Sequence, residues 1–152
     1  MSTIGFDTSN YTTSTAWTDG KTDINVRQIL YVKDGERGIR QSDGVFQHMK
    51  LMPVMYEKLS EQIDFKDVKA VGVSTRPRCV EGSYMPVFLA GEGYAKVVAN
   101  TLGVPLYEFS HQDGHIMAGI YSSGSFELLE NDFISVHLSG GTTEILKSRY
   151  NG

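Results

Sequence analysis

The sequence predicts an α/β protein built on a mixed β-sheet. Three observations carry this. Three strand-like stretches, 2–9, 12–19 and 23–33, come before any helical pattern. From residue 44 onward, helical and strand patterns alternate. The first two strands are joined by a connection short enough for a hairpin. Strands paired through hairpins run antiparallel, and strands separated by helices run parallel, so one sheet must hold both kinds.

Each element has its own warrant. In "STIGFDTS", Ile4 and Phe6 alternate with small and polar residues, as a pleated strand requires. "TTSTAWTD" is Thr-rich, with Ala16 and Trp17. "DINVRQILYVK" carries Ile24, Val26, Ile29, Leu30 and Val32. In 44–63, Val45, Met49, Met52, Met55, Tyr56 and Leu59 recur at threes and fours, which predicts a helix. Ser42 or Asp43 is placed to cap it. Pro53 inside the pattern predicts a kink or a break. "KAVGVST" reads as a buried strand. The following helix over 86–103 has Pro86 in its first turn and Gly103 as C-cap. "VPLYEFS" is another strand, 111–124 a short helix, and 131–152 a hairpin turning on "SGG". The order βββαβαβαββ is the pattern of a ribonuclease-H-like lobe, the unit that actin and the heat-shock ATPases use in pairs around a nucleotide cleft.

Composition narrows the function classes. With 152 residues the chain is expected to form a single domain, and it needs no disulfide staples. A net charge of −4 offers no overall attraction to nucleic acid. The lone Cys79 fits a reducing compartment. No apolar run reaches the roughly 20 residues of a membrane span, so the expected location is cytoplasmic, with no membrane partner.

Four stretches could carry chemistry. Thr8, Ser9 and Asn10 crowd donors at the first hairpin tip, as a phosphate site or an ordinary polar turn would. Ser139, Gly140, Gly141, Thr142 and Thr143 form a second such turn, either phosphate-contacting or a plain glycine hairpin. Arg76 and Arg78 flank Pro77 at a strand end, where they could meet an anion or stay solvated. His111 and His115 stand four apart in "SHQDGH", so a helix puts both imidazoles on one face, where they could clamp a divalent ion. Asp113 lies on a different face.

Together these stretches resemble a known family. "IGFDTSNYTTSTA", "FQHMKLMPVMYEKL", the long run from "AVGVST" to "GHIMAG", and "HLSGGTTEI" follow the order of the first lobe of the universal tRNA threonylcarbamoyladenosine synthases. An older name for that family is O-sialoglycoprotein endopeptidase, or glycoprotease. The resemblance covers nearly the whole chain, and its most specific piece is Ser110 to His115. It implies an actin-like ATPase lobe that binds a divalent metal, iron or zinc, through His111 and His115. The family takes a third ligand, an aspartate, from a second lobe. The resemblance also implies ATP or threonylcarbamoyl-adenylate held by Thr8, Ser9 and Asn10 and by the glycine turn 139–143. The reaction implied is transfer of threonylcarbamoyl to N6 of adenosine in tRNA, with tRNA engaged only by a complete complex.

Three departures from the family are visible. Tyr11 and Thr12 stand where the family has acidic residues, and neither can serve as a carboxylate base. Arg76-Pro77-Arg78 replaces a glycine-rich loop. The second lobe is expected to be absent, leaving an N-terminal lobe over 1–152 that is inactive by itself. The competing reading is a non-catalytic scaffold, dimerising with itself or with a paralogous subunit through the Met-rich helix 45–63. A metalloprotease is disfavoured, because Gln112 and Asp113 leave no His-Glu-x-x-His motif.

Overall fold

The computed structural model describes residues 1–138 and 143–151. The chain forms two compact units, Met1–Gln112 and Asp113–Gly152.

In the first unit, β1 (Ser2–Asp7), β2 (Thr12–Thr18) and β3 (Asp23–Ile29) precede α1 (Gln41–Ser60). Then come a 3-10 turn (Phe65–Asp67), β4 (Val68–Arg76), α2 (Phe88–Leu102) and β5 (Leu106–Ser110). The five strands make one sheet in the order β3-β2-β1-β4-β5. The pairs β1/β2 and β2/β3 are antiparallel, and β1/β4 and β4/β5 are parallel. This is the mixed sheet that the element order predicts.

Inward residues of β1 and β4 meet one face of each helix. Ile4, Phe6, Val68, Val71 and Val73 pack with Met52, Leu59, Ala95 and Ala99 in one buried cluster. α1 lies over β2 and β3, and α2 over β1 and β4. Small residues on α2 bring it close to the sheet. At Gly91 a Cβ would stand 2.8 Å from Thr8 Oγ1 and 3.3 Å from its Cγ2, so no side chain fits there without displacing Thr8. α2 ends as expected on Gly103, at φ 67°, where Val104 N–H donates to Ala99 O at 3.0 Å.

α1 differs from expectation in three ways. It starts at Gln41, so Ser42 and Asp43 lie inside its first turn, and the N-cap residue Arg40 makes no side-chain cap. Asp43 still suits the positive end of the helix. The helix also runs through Pro53 without breaking. Proline leaves the carbonyl four residues back without its helical donor. That carbonyl belongs to Met49, and the Tyr94 hydroxyl of α2 donates to it at 3.0 Å. The third difference concerns the apolar stripe. Met52, Met55 and Leu59 are fully buried in the chain's own core, while Phe46, Met49 and Val54 are exposed. Met52 and Met55 are therefore core residues rather than part of a surface stripe.

The second unit takes in most of α3 (His111–Ser123), a 3-10 turn (Phe126–Glu130), β6 (Phe133–Leu138) and β7 (Thr143–Ser148). β6 and β7 pair antiparallel as a separate two-stranded sheet, where the sequence reading had anticipated a single sheet. Asp132 ties the base of this hairpin to Lys147, at 2.8 Å, and to Arg149. The expected turn residues Ser139, Gly140, Gly141 and Thr142 lie outside the described residues.

Candidate functional site

The carboxyl ends of β1, β4 and β5 lie side by side, and the site residues of the first unit gather there. β1 ends on Asp7. Its Oδ1 accepts from Ser9 N–H at 2.7 Å, which turns the chain into the hairpin. Its Oδ2 is 2.8 Å from His111 Nδ1. Burial pushes the Asp7 carboxyl up, but the hydrogen bond and charge of His111, with hydrogen bonds from Ser74 and Ser9, outweigh it and hold the group down to about 2. An ionised carboxylate only accepts, so in this contact His111 Nδ1 is the donor.

β5 passes directly into α3 at Ser110–His111. Gln112 N–H, one of the first donors of α3 and without a helical acceptor, donates to Pro77 O at 3.1 Å. The Arg76–Arg78 stretch thus braces the start of the histidine helix. Around it, Arg76 lies 3.8 Å from the Cys79 sulfur and Arg78 N–H donates to Ser83 Oγ. His115 follows His111 by one helical turn in the continuous helix α3.

The first hairpin tip divides its roles. Thr8 is fully buried, and its hydroxyl donates to Val87 O at 2.8 Å and accepts from Gly91 N–H at 3.0 Å. Its oxygen is committed to joining β1 to α2, while Ser9 and Asn10 are partly exposed. Tyr11 is exposed and Thr12 opens β2.

Two histidines that the sequence reading passed over matter here. His48 of α1 is fully buried, with Nδ1 2.7 Å from Thr13 Oγ1 and no hydrogen-bond partner for Nε2. Its position inside a Met-rich helical stripe gave no hint of this. In the second unit, the His137 ring centre lies 5.4 Å from that of His115. His137 sits two residues before Ser139 in the sequence, and only the hairpin register brings it opposite Glu144. Thr143 opens β7 and is exposed.

Among the described residues, no group of three or more His, Cys, Asp and Glu is arranged to hold a metal ion. The donor chemistry nevertheless suits one. A histidine whose Nδ1–H is held by a carboxylate presents Nε2 in the tautomer and orientation a divalent cation needs.

A sheet ordered 3-2-1-4-5, antiparallel at one end and parallel at the other with helical crossovers, defines a ribonuclease-H-like lobe of the actin-like kind. Solved structures agree on the fold. YeaZ from Pseudomonas aeruginosa matches 97% of this chain with a TM-score of 0.54 at 13% identity, over 65% of its own length. A Pseudomonas aeruginosa protein with similarity to peptidase YEAZ matches 97% with a TM-score of 0.56 at 12% identity, over 64% of its own length. The sequence narrows the class further. Residues 35–152 match the family of tRNA N6-adenosine threonylcarbamoyltransferases (TsaD), and the chain belongs to that family. The threonylcarbamoyltransferase of Christiangramia forsetii is 33% identical over 98 residues, 64% of this chain and 27% of the relative. That of Pyrobaculum calidifontis is 28% identical over 144 residues, 93% of this chain and 40% of the relative. The chain thus spans between 27% and 40% of the length of these relatives.

Proposed function

We propose that this chain is the histidine-bearing portion of a threonylcarbamoyl-transfer protein, and that its α3 holds a divalent cation through His111 and His115. The observation that carries this is the 2.8 Å contact from Asp7 to His111 Nδ1. It holds the ring through Nδ1–H, as carboxylates do in carboxylate–histidine–metal arrangements. Nitrogen donors favour iron or zinc over magnesium or calcium. Such a cation supplies Lewis-acid polarisation of phosphate or carbamoyl oxygens. The chain's own part is to hold the imidazoles and, through Ser9, Asn10, Ser139, Gly140, Gly141, Thr142 and Thr143, to offer donors to an ATP or acyl-adenylate phosphate. Transfer to N6 of adenosine in tRNA is the activity named for relatives of which this chain spans less than half. We place the chain in that reaction as the part that orients cation and nucleotide.

Calorimetric titration with Zn²⁺, Fe²⁺ and Mn²⁺ tests the reading. Wild type should bind one ion, His115→Ala should lose most of the heat, and Asp7→Asn should weaken binding about 10- to 100-fold. Equal heats for wild type and His115→Ala would reject it.

A second reading rests on Tyr11 and Thr12, which supply no carboxylate at the hairpin tip. It makes the chain a non-catalytic partner that pairs with a copy of itself or a paralogous subunit through the helical face. Phe46, Val54 and Val97 are exposed there, and an apolar groove between α1 and α2 is lined by Pro53, Val54, Tyr94 and Val97.

A further inference from the structure

We infer that Arg76 is an anion-binding residue, whose guanidinium takes a phosphate or carboxylate group of the ligand at the carboxyl ends of the strands. The inference extends the nucleotide part of the reading above and needs no cation.

β4 lies between β1 and β5 in the sheet. Its last residues therefore stand between the strand that ends on Asp7 and the strand that leads into His111. Ser74 is in register with Phe109, and Arg76 with Ser110, the next residue of β5. Thr75 is thus an extra residue, a bulge in β4. Bulges gather beside functional sites, where they re-aim a side chain. This one sets Arg76 opposite the residue that precedes His111. In parallel sheets of α/β proteins, ligands bind outside the carboxyl ends of the strands, which is where Arg76 stands. The loop that follows is tied down. Pro77 O accepts from Gln112 N–H at 3.1 Å, Arg78 N–H donates to Ser83 Oγ at 3.0 Å, and Gly82 turns the chain at φ 73°.

Arg76 is only partly exposed, and among the described residues no carboxylate forms an ion pair with it. Its Nη1 donates to Thr75 Oγ1 at 3.4 Å, and its Nη2 stands 3.8 Å from Cys79 Sγ. Both acceptors are neutral and both contacts are long. Asp7, the carboxylate at the neighbouring strand end, takes its hydrogen bonds from His111, Ser74 and Ser9 instead. A guanidinium is always charged, and one drawn partly out of water without a counter-ion favours an anion beside it. Its planar fork matches the paired oxygens of a carboxylate or a phosphate. Threonylcarbamoyl-adenylate carries one of each, and the test separates them.

The test uses the full chain and calorimetry with four probes. ATP against adenosine reads the phosphates, and N-acetyl-L-threonine against its amide reads the carboxylate. Wild type should bind at least one anionic probe more tightly than its neutral counterpart. Arg76→Ala should weaken that probe about 10- to 100-fold and leave the neutral one unchanged. Arg76→Lys, which keeps the charge but loses the fork, should fall between, and it carries the test if Arg76→Ala does not fold. Arg27→Ala removes an exposed arginine from the edge strand β3 and should bind as wild type does, which separates Arg76 from net charge. Wild-type affinity for both anionic probes in Arg76→Ala and Arg76→Lys would overturn the inference, and with ATP still bound it would leave the nucleotide reading standing. A wild type that prefers neither anionic probe would overturn the inference as well. A carboxylate held through Arg76 by a chain that binds no ATP would uphold Arg76 and overturn the nucleotide reading alone.

Discussion

His48 makes the chain's stability depend on pH in a window where few other groups contribute. The imidazole is fully buried between α1 and β2, with Thr13 as its hydrogen-bond partner. Burial pulls it down from 6.5 to about 4, against an opposing pull from the Asp7 charge. Because the folded form binds a proton less tightly than the unfolded form, the unfolded state protonates first as pH falls. The stability is fully present above pH 6.5 and drains away as pH drops to about 4. A depression of this size is worth about 3 kcal/mol, a large share of a typical domain's total. Asp7, held down to about 2, drains stability only below the normal carboxylate range, so the two windows separate. Urea melts at half-unit steps from pH 7 to 4.5 should show wild type losing about 2–3 kcal/mol more than His48→Gln over the same range. The variant should start less stable, because Thr13 loses its buried partner. Parallel pH slopes for the two proteins, or a His48 ring that titrates near 6.5 by NMR, would refute the reasoning.

The packing sets the remaining outcomes. Thr8→Val removes both hydrogen bonds that join β1 to α2 and should cost about 1–3 kcal/mol in urea melts; Gly91→Ala should also destabilise, despite alanine's better helix propensity, because its Cβ collides with Thr8. Tyr94→Phe should cost about 1 kcal/mol by stripping the Met49 carbonyl of its donor, and far less in a Pro53→Ala background, where the residue-53 N–H returns. If copies pair through the helical face, Val54→Lys with Val97→Lys should give a monomer by light scattering without loss of fold, whereas Met52→Lys should unfold the chain, since Met52 is core.

Much of the fold was legible because local pattern and tertiary environment agree. Ile4, Phe6 and Val71 alternate or cluster as buried strands do, and Gly103 sits where a left-handed cap is needed. Pro53 misled, because the remedy for its missing N–H is a hydroxyl 41 positions away on another helix. The Met stripe misled in a similar way, since periodicity shows which residues share a face but not whether that face meets a sheet. At the site, His111 and His115 announce themselves by spacing. Asp7 and His111 are 104 residues apart and meet only once β1 and β5 lie in one sheet. Glu144 and His137 meet only through strand register. Thr8 was readable as a hairpin hydroxyl, but the short approach of Gly91 that consumes that hydroxyl lies across the fold.

X-ray absorption at the metal edge of the chain loaded with one equivalent of Fe²⁺ or Zn²⁺ tests the central claim most directly. The account predicts a nitrogen and oxygen first shell at about 2.0–2.2 Å, with the outer-shell scattering of imidazole rings that weakens in His115→Ala. A spectrum without imidazole scattering, or one identical in wild type and His115→Ala, would contradict it.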